Sequence, residues 1–397
     1  MCGIFGTCNL RQEQRADESQ LERMSRALKH RGPDGESMFH GPHMQMGVCR
    51  LEAMSRYGES EPAHNEDSSI SVVLDGEIFN YDELKVMLSE RGHRFRTKSS
   101  EELLAHLYEE FGPDCALQLN GLYAFAVWDQ VRHRLVLVRD RVGVKPLHYA
   151  VDSRKGELIF ASEIKAILQG GEIQPKVNIC ALRDYLSYWF VPAPETMFDG
   201  IMKLPAGHYL VFDGRNSDLV EYWDLNSLNS QGMNVRREYS RLDYLLRQSV
   251  RRRISDQEPV GVFLSGGIDS SIIAGLASQL VGGDRVKTFS VGCEESSYSE
   301  LEDARYVAEH FGTDHHEVLI KCDIFNLVRK LVYHTDEPLA DWSLFPTYLV
   351  SKLAKEHVDT VLSGDAADDL FAGHERLMAD RIDTYYSRLP RLVRDGV

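Results

Sequence analysis

The stretch that most constrains this chain is Val260-Gly-Val-Phe-Leu-Ser-Gly-Gly-Ile-Asp-Ser-Ser271. Residues 260–264 are apolar and partly β-branched, which predicts a short buried strand. Ser265, Gly266 and Gly267 follow at once, and 268–280 then reads as a helix. A strand that passes through a glycine turn into a helix N-terminus makes an anion site. Glycine lets the backbone approach closely, and the first-turn N–H groups and helix dipole favour negative charge. Ser265, Ser270 and Ser271 add hydroxyl donors, and Asp269 offers a carboxylate to a Mg²⁺ that screens phosphate. The GxxxxGK[ST] spacing and its lysine are absent, so this is not a Walker loop. The bland alternative is an ordinary strand–turn–helix.

Strand-like runs recur at 287–292, 315–320 and 359–364, with helical patterns at 299–311, 323–334 and 345–356 between them. A helix at 236–253 leads in. This alternation predicts a doubly wound parallel sheet, with the loops after Leu264, Val291 and Leu362 converging on one crevice.

At 397 residues the chain is long enough for two domains. The formal charge of −16 argues against a nucleic-acid partner held through phosphate contacts, and Arg251-Arg-Arg253 reads as a solvated helix face. No apolar run approaches a membrane span, and no basic-then-apolar leader is present, so no membrane partner and a cytoplasmic location are expected. Cys2, Cys8, Cys49, Cys115, Cys180, Cys293 and Cys322 form no CxxC pair. That is reduced-thiol usage, without structural disulfides or zinc.

The chain opens Met1-Cys2-Gly-Ile-Phe-Gly6. Removal of Met1 puts a nucleophile and a base on one residue: an α-amine of pKa about 7.7–8.0 can take the proton of a thiol near 8.5. On its own, a cysteine at position 2 is usually a buried small hydrophobe. The motifs that follow are His30-Arg-Gly-Pro-Asp-Gly35, Arg50-Leu51, Asp75-Gly-Glu-Ile-Phe-Asn80, Asn120-Gly-Leu-Tyr-Ala-Phe-Ala126, Arg139-Asp-Arg141, Gly143-Val-Lys-Pro-Leu147 and Ala161-Ser-Glu-Ile-Lys165. Runs at 70–74, 135–138 and 158–161 predict strands, and 81–91 and 101–111 carry helical periodicity.

Together these motifs, from Cys2 to about Leu210, resemble the class II glutamine amidotransferase domain. The resemblance implies an α+β N-terminal-nucleophile hydrolase, an αββα sandwich of two stacked antiparallel sheets between helices. It implies that Cys2 attacks the amide carbon of glutamine, with Asp75 and Gly76 in the catalytic set. Arg50 would hold the substrate carboxylate in a fork, and Gly76, Glu77 and Ser100 would line the same pocket. Two positions depart from the family. Relatives carry Asn-Gly-Glu where this chain has Asp75-Gly76-Glu77, and loss of that asparagine's oxyanion donor typically costs ~10²–10³ in rate. Relatives also place an aspartate, which pairs with the substrate ammonium, where Ser100 stands.

The second half reads Asp336-Glu-Pro-Leu-Ala-Asp-Trp-Ser343 and Ser363-Gly-Asp-Ala-Ala-Asp-Asp-Leu-Phe-Ala-Gly373. With the 265–270 turn, whose wording resembles the PP-loop of ATP pyrophosphatases, it is similar to the synthetase domain of glutamine-hydrolysing asparagine synthetases. The resemblance implies an α/β PP-loop fold using ATP and Mg²⁺. Leu264 and Val291 would flank adenine. Ser265, Gly266, Gly267, Asp269 and Ser270, with Ser363 and Gly364, would bind ATP. Asp269 and Asp368 would hold Mg²⁺, and Asp365 would act around the acyl-adenylate step. An alternative takes Asp365, Asp368 and Asp369 as a helix N-terminal acidic cluster. Relatives have glycines where Ala366 and Ala367 stand, glutamate for Asp369 and tyrosine for His374. They continue into a helical region bearing a lysine with no counterpart here, so this half is expected to be incomplete.

The leading reading is an amidotransferase domain at 2–210, a linker at 211–235 (most polar at 226–234) and a synthetase-type domain at 236–397. Glutamine, or free ammonia, would supply nitrogen to a carboxylate activated as its acyl-AMP; aspartate is the default acceptor, and sugars or peptides are others. A homodimer is one assembly that this reading leaves open. Two alternatives stand beside it: an ammonia- or amine-dependent ligase with a silent glutaminase, and an inactive nucleotide-binding homologue.

Overall fold

The computed structural model describes residues 2–11, 18–52, 62–152, 154–171, 173–225, 235–254, 258–292, 300–320, 324–374 and 386. Among them, no helix is long and apolar enough to cross a membrane. The chain divides into two compact units, Met1–Gln231 with Val328–Asp341, and Gly232–Leu327 with Trp342–Val397.

The first unit is built on two six-stranded antiparallel sheets. Its strands are β1 (Gly3–Asn9), β2 (Gly35–His40), β3 (Met44–Arg50), β4 (Ala63–His64), β5 (Ile70–Ile78), β6 (Gly121–Asp129), β7 (Arg134–Arg139), β8 (His148–Asp152), β9 (Glu157–Ala161), β10 (Met202–Lys203), β11 (His208–Phe212) and β12 (Ser217–Glu221). One sheet runs β10-β8-β9-β1-β3-β2 and the other β12-β11-β7-β6-β5-β4. The helices are α1 (Glu18–Leu28), α2 (Tyr81–Glu90), α3 (Ser100–Phe111), α4 (Ile164–Gly170) and α5 (Ile179–Tyr188).

Three apolar layers explain the stacking. Ile4, Met46, Val48, Val73, Ala126, Trp128, Leu137 and Phe160 fill the space between the sheets. Val72, Leu74, Phe125, Val127 and Val136 point the other way and pack under Leu104, Leu107 and Tyr108 of α3. Phe5 and Ile159 do the same for α1 and α4 through Leu21, Met24, Ile164 and Ile167. Neighbouring strand residues thus alternate between two buried faces. Both faces are dry, so these strands read in the sequence as continuous apolar runs rather than as alternation.

The second unit carries a parallel sheet. It contains α6 (Val235–Arg253), β13 (Val260–Phe263), α7 (Ile268–Val281), β14 (Val286–Gly292), α8 (Leu301–Phe311), β15 (Asp314–Leu319), α9 (Ile324–Thr335, which runs on into the segment assigned to the first unit), α10 (Leu344–Lys355), β16 (Val361–Leu362) and α11 (Ala367–Phe371). The strand order is β15-β14-β13-β16, and β13 pairs in parallel with both neighbours. Val262 and Leu264 face the helix side formed by α6, α7 and α8, whereas Phe263 faces Val350 and Ala354 of α10. Helices on both faces make the sheet doubly wound. The order reverses at β13, so the crevice that such sheets use for ligands opens between the carboxyl ends of β13 and β16.

Two boundaries differ from the sequence reading. The linker expected from 211 is occupied by β11 and β12, which pair from His208↔Glu221 to Phe212↔Ser217, because an edge hairpin completes the second sheet. Its polar core, 226–234, lies outside the described residues. The second difference is that Val328–Asp341, expected in the synthetase-type domain, groups with the first unit. There the Ile164 amide donates to Asp336 Oδ2 at 2.6 Å and the Met197 amide to Glu337 Oε1 at 2.6 Å. Lys165 and Lys203 close the same two carboxylates at 2.8 and 2.6 Å.

Candidate functional site

In the first unit, Cys2 stands immediately before β1, 4% exposed. Burial pushes its thiol above the ordinary range; a hydrogen bond from the Leu51 backbone opposes that rise, and the charges of Asp75 and Glu101 add to it. Leu51 follows Arg50, the last residue of β3, which pairs with β1. The structure therefore brings together Cys2, Asp75 and the Arg50–Leu51 corner. Opposite Arg50 stands Gly35, where an added Cβ would lie 3.2 Å from Arg50 Nη2. Glu52 Oε1 is 3.6 Å from the same nitrogen.

Asp75 is wholly buried on β5. Arg31 donates from Nη2 to its Oδ2 at 2.8 Å and from Nε to the Cys2 carbonyl at 2.9 Å. Lys145 Nζ lies 3.6 Å from Asp75 Oδ1. Lys145 is set by a tight turn in which Asp140 accepts from the amides of Val142, Val144 and Lys145. On its far side Arg31 meets Glu163 at 3.1 Å; Glu163 pairs with Lys165, and Lys165 with Asp336 at 2.8 Å. Three cations thus alternate with three carboxylates. Burial opposes the charge on Arg31, but Asp75 and Glu163 outweigh it and hold the guanidinium above its usual value. Burial likewise acts against the Glu163 carboxylate; His30, Lys165 and Arg31 overcome it and bring it down to about 2.

Gly76 has φ +141°, and a Cβ there would strike the Leu122 carbonyl oxygen at 2.0 Å, so only glycine fits beside Asp75. Glu77 lies two residues past Asp75 on the same strand, hence on the same face. Ser100 is the buried first residue of α3, whose N-cap is Ser99 accepting from the Glu102 amide. The acidic group that acts on the thiol from this turn is its neighbour Glu101, 4% exposed. Arg31, Lys145, Glu163 and Lys165 lie within the sequence motifs given above, and the motifs by themselves assign them no role. Charged residues embedded among buried runs were the available signal.

In the second unit the turn after β13 behaves as its glycines predict. Gly266 has φ +87°, and a Cβ there would meet Asp303 Cβ at 2.6 Å. α7 starts at Ile268 with no side-chain cap on Gly267, which leaves its amide end for an anion. Ser265 and Ser270 brace this turn: their hydroxyls lie 2.9 Å apart, Ser270 Oγ accepts from the Ser265 amide, and Ser265 Oγ from the Gly267 amide. Leu264 is a core residue whose amide donates to the Phe289 carbonyl, so it forms the floor of the crevice. Val291 packs from β14 against the α10 side, and the stretch 293–299 beyond it lies outside the described residues.

Gly364 rests on the first turn of α7, where a Cβ would come 3.0 Å from the Ser270 amide nitrogen and from the Asp269 carbonyl carbon. The loops after β13 and β16 therefore meet. Ser363 Oγ donates to Asp365 Oδ2 at 2.9 Å. Asp269 is half-buried, and Asp365 and Asp368 are exposed. Carboxylate oxygens beside an uncapped helix start fit a nucleotide phosphate chain with a hard divalent cation. Ala366, where relatives carry glycine, has φ +68°. The methyl group sits in a region disfavoured for L-residues by roughly 1–2 kcal/mol.

Residues 1–223 match the glutamine amidotransferase domain family, and residues 241–395 match the asparagine synthase family. The chain is 34% identical over 419 residues to putative asparagine synthetase (glutamine-hydrolyzing) 2 of Methanocaldococcus jannaschii, covering 99% of this chain and 79% of that one. The chain belongs to the glutamine-hydrolysing asparagine synthetase family. It is also 34% identical over 380 residues to asparagine synthetase (glutamine-hydrolyzing) 1 of Bacillus subtilis, and that match takes in 94% of this chain and 59% of the relative's length. Among solved structures, glutamine phosphoribosylpyrophosphate amidotransferase from B. subtilis superposes with a TM-score of 0.41 at 15% identity over 80% of this chain and 81% of that one.

Two stability outcomes follow for this asparagine synthetase-family chain. Glu163 has a folded pKa below its unfolded one, so its contribution is complete above pH ~4.5 and disappears as pH falls toward ~2; a shift of this size is worth about 3 kcal/mol. Glu163→Gln should therefore lower stability near pH 7 by that order and flatten the acid limb of a denaturation-versus-pH series. Ala366→Gly should stabilise by about 1 kcal/mol in chemical denaturation, since glycine adopts φ +68° without strain.

Proposed function

We propose that this chain is an ATP-dependent amidotransferase that hydrolyses glutamine at Cys2 and passes the ammonia to a carboxylate activated as acyl-AMP. The observation that carries the reading is the placement of Cys2. It lies buried between the Leu51 amide and the Arg31–Asp75 pair, at the head of a central strand.

After removal of Met1, the free α-amine of Cys2 takes the thiol proton, and the thiolate attacks the amide carbon of glutamine. The C–N bond breaks, ammonia leaves with a proton returned by the α-ammonium, and water releases glutamate from the thioester. Arg50 forks the substrate carboxylate, and Glu77 and Ser100 line the pocket. Asp75 serves in a different way from the asparagine of relatives. It accepts from Arg31 with Lys145 close by, so it anchors the guanidinium that holds the Cys2 carbonyl.

In the PP-loop unit, the acceptor carboxylate attacks the α-phosphorus of ATP and pyrophosphate leaves; ammonia then attacks the acyl carbon and AMP leaves. The turn of Ser265, Gly266, Gly267 and Ser270, with Ser363 and Gly364, cradles the phosphates. Asp269 and Asp368 would hold Mg²⁺, which screens the leaving pyrophosphate. Asp365 stands on the adjoining loop for the acyl-transfer step. Aspartate is the first acceptor to try.

One observation favours the second reading, an ammonia-dependent ligase. Asp75 offers no oxyanion donor, because its carboxylate is wholly buried and paired with cations.

The deciding measurement is glutamate release from glutamine by protein whose Met1 removal is verified by mass spectrometry. Release that vanishes in Cys2→Ala is the expected result, with a rate that climbs with pH through about 7–8 as the α-amine loses its proton. No release, together with AMP formation from ammonium, ATP and acceptor, would establish the second reading instead. Asp75→Asn should lower stability in chemical denaturation by about 3–5 kcal/mol, since it leaves Arg31 and Lys145 facing a neutral group in a buried site. An unchanged stability would show that the pair does not hold Arg31 in place.

A further inference from the structure

Away from both sites, the turn between β4 and β5, the residues after α2 and the middle of α3 meet in a cluster of two imidazoles and several carboxylates. His106 lies at its centre, completely buried, with Phe95 against its ring at 4.8 Å. Neither of its ring nitrogens has a hydrogen-bond partner. Yet Nδ1 is only 3.1 Å from Glu66 Oε2, and Nε2 is 3.8 Å from Glu102 Oε1. Its Nδ1 thus stands beside a carboxylate oxygen without the geometry of a hydrogen bond, buried and aimed into the cluster.

The neighbours supply the rest of a coordination shell. His93 Nδ1 is 3.5 Å from Glu66 Oε1 and 3.9 Å from Glu109 Oε2. One donor atom from each of Glu66, His93, His106 and Glu109 lies within 4.8 Å of all the others. Metal–nitrogen and metal–oxygen bonds of about 2.1 Å place tetrahedral ligands about 3.4 Å apart, in the middle of the separations seen here. Supporting bonds orient three of the four ligands, as they do around bound metals. His93 Nε2 faces Glu110 at 3.1 Å, leaving Nδ1 toward the cluster, and Arg91 holds Glu110 at 2.8 Å. The Arg94 amide donates to Glu66 Oε1 at 2.9 Å, and Asn65 Nδ2 donates to Glu109 Oε2 at 3.1 Å.

We propose that Glu66, His93, His106 and Glu109 form a binding site for one divalent transition-metal ion, Zn²⁺ foremost. Two imidazoles with two carboxylates suit zinc, whereas the oxygen-only shells of Mg²⁺ and Ca²⁺ have no use for imidazole. The absence of CxxC pairs excludes a cysteine zinc site and has no bearing on this one. Its ligands come from three separate stretches, so the metal clamps the 65–69 turn and the end of α2 onto α3. That is a structural role, distinct from glutamine or ATP chemistry.

The test uses the full chain carrying Cys2→Ala, so that the nucleophile cannot bind the probe. Chelator-treated protein is titrated with Zn²⁺ alone against a chromophoric competitor, and then with Co²⁺ while visible absorption is read. One equivalent of Zn²⁺ should bind, the Co²⁺ form should show tetrahedral d–d bands, and saturation should raise Tm. Glu109→Gln changes a partly exposed position, and His93→Gln keeps an amide of similar bulk at a nearly buried one. Each should weaken Zn²⁺ binding by ten- to a hundredfold or more and abolish the Tm rise, with apo-protein Tm nearly unchanged. No stoichiometric Zn²⁺, or Zn²⁺ bound equally well by both variants, would overturn the proposal and leave the cluster as a set of histidine–carboxylate ion pairs.

Discussion

The first unit depends on one buried guanidinium. Arg31 ties the Cys2 carbonyl, Asp75 and Glu163 into a single arrangement, and Lys145 and Lys165 carry the charge pattern outward to Asp336. Ions removed from water survive only when each meets an opposite charge and a hydrogen bond. Removal of one member of such a set typically costs 3–5 kcal/mol, because the partner is left buried and alone. The same balance accounts for an aspartate at 75. Alone it would be a buried, unpaired charge; between two cations, it is an anchor for the residue that grips the Cys2 backbone.

Backbone approach is the second constraint, and it acts in both units. Gly76 lets β5 press against the Leu122 carbonyl beside Asp75, and Gly266 lets the turn after β13 lie on α8 at Asp303. In each case the missing side chain is what allows a strand end to meet its neighbour closely enough to form a site. Ala366 shows the contrary case. The loop after β16 keeps a left-handed residue without glycine's freedom, and α11 begins there under strain.

Much of the architecture was legible in the chain. The strands at 134–139, 157–161 and 260–263 are buried along most of their length, so each holds a short apolar run that stands out by itself. The motif residues were legible too; what they did not announce is that Cys2 stands beside Asp75 and Gly364 against α7. Less visible was the hairpin of β11 and β12, because β12 is an exposed edge strand with no apolar pattern to announce it. The acidic stretch at 336–337 carried no sign that it would serve Lys165 and Lys203 rather than its sequence neighbours.

What the sequence by itself determined is everything that acts over a few residues: strand and helix periods, the glycine turn before a helix dipole, and a cysteine at position 2. Those signals depend on bond geometry and on neighbours within one helical turn, and the chain states them directly. Only the tertiary structure decided which charges neutralise one another. Arg31 finds Asp75 44 positions away and Glu163 132 away, and Ile164 finds Asp336 172 away. Coulomb energy falls with distance through space and is indifferent to distance along the chain. The partners of a buried charge are therefore fixed only once the sheets have stacked.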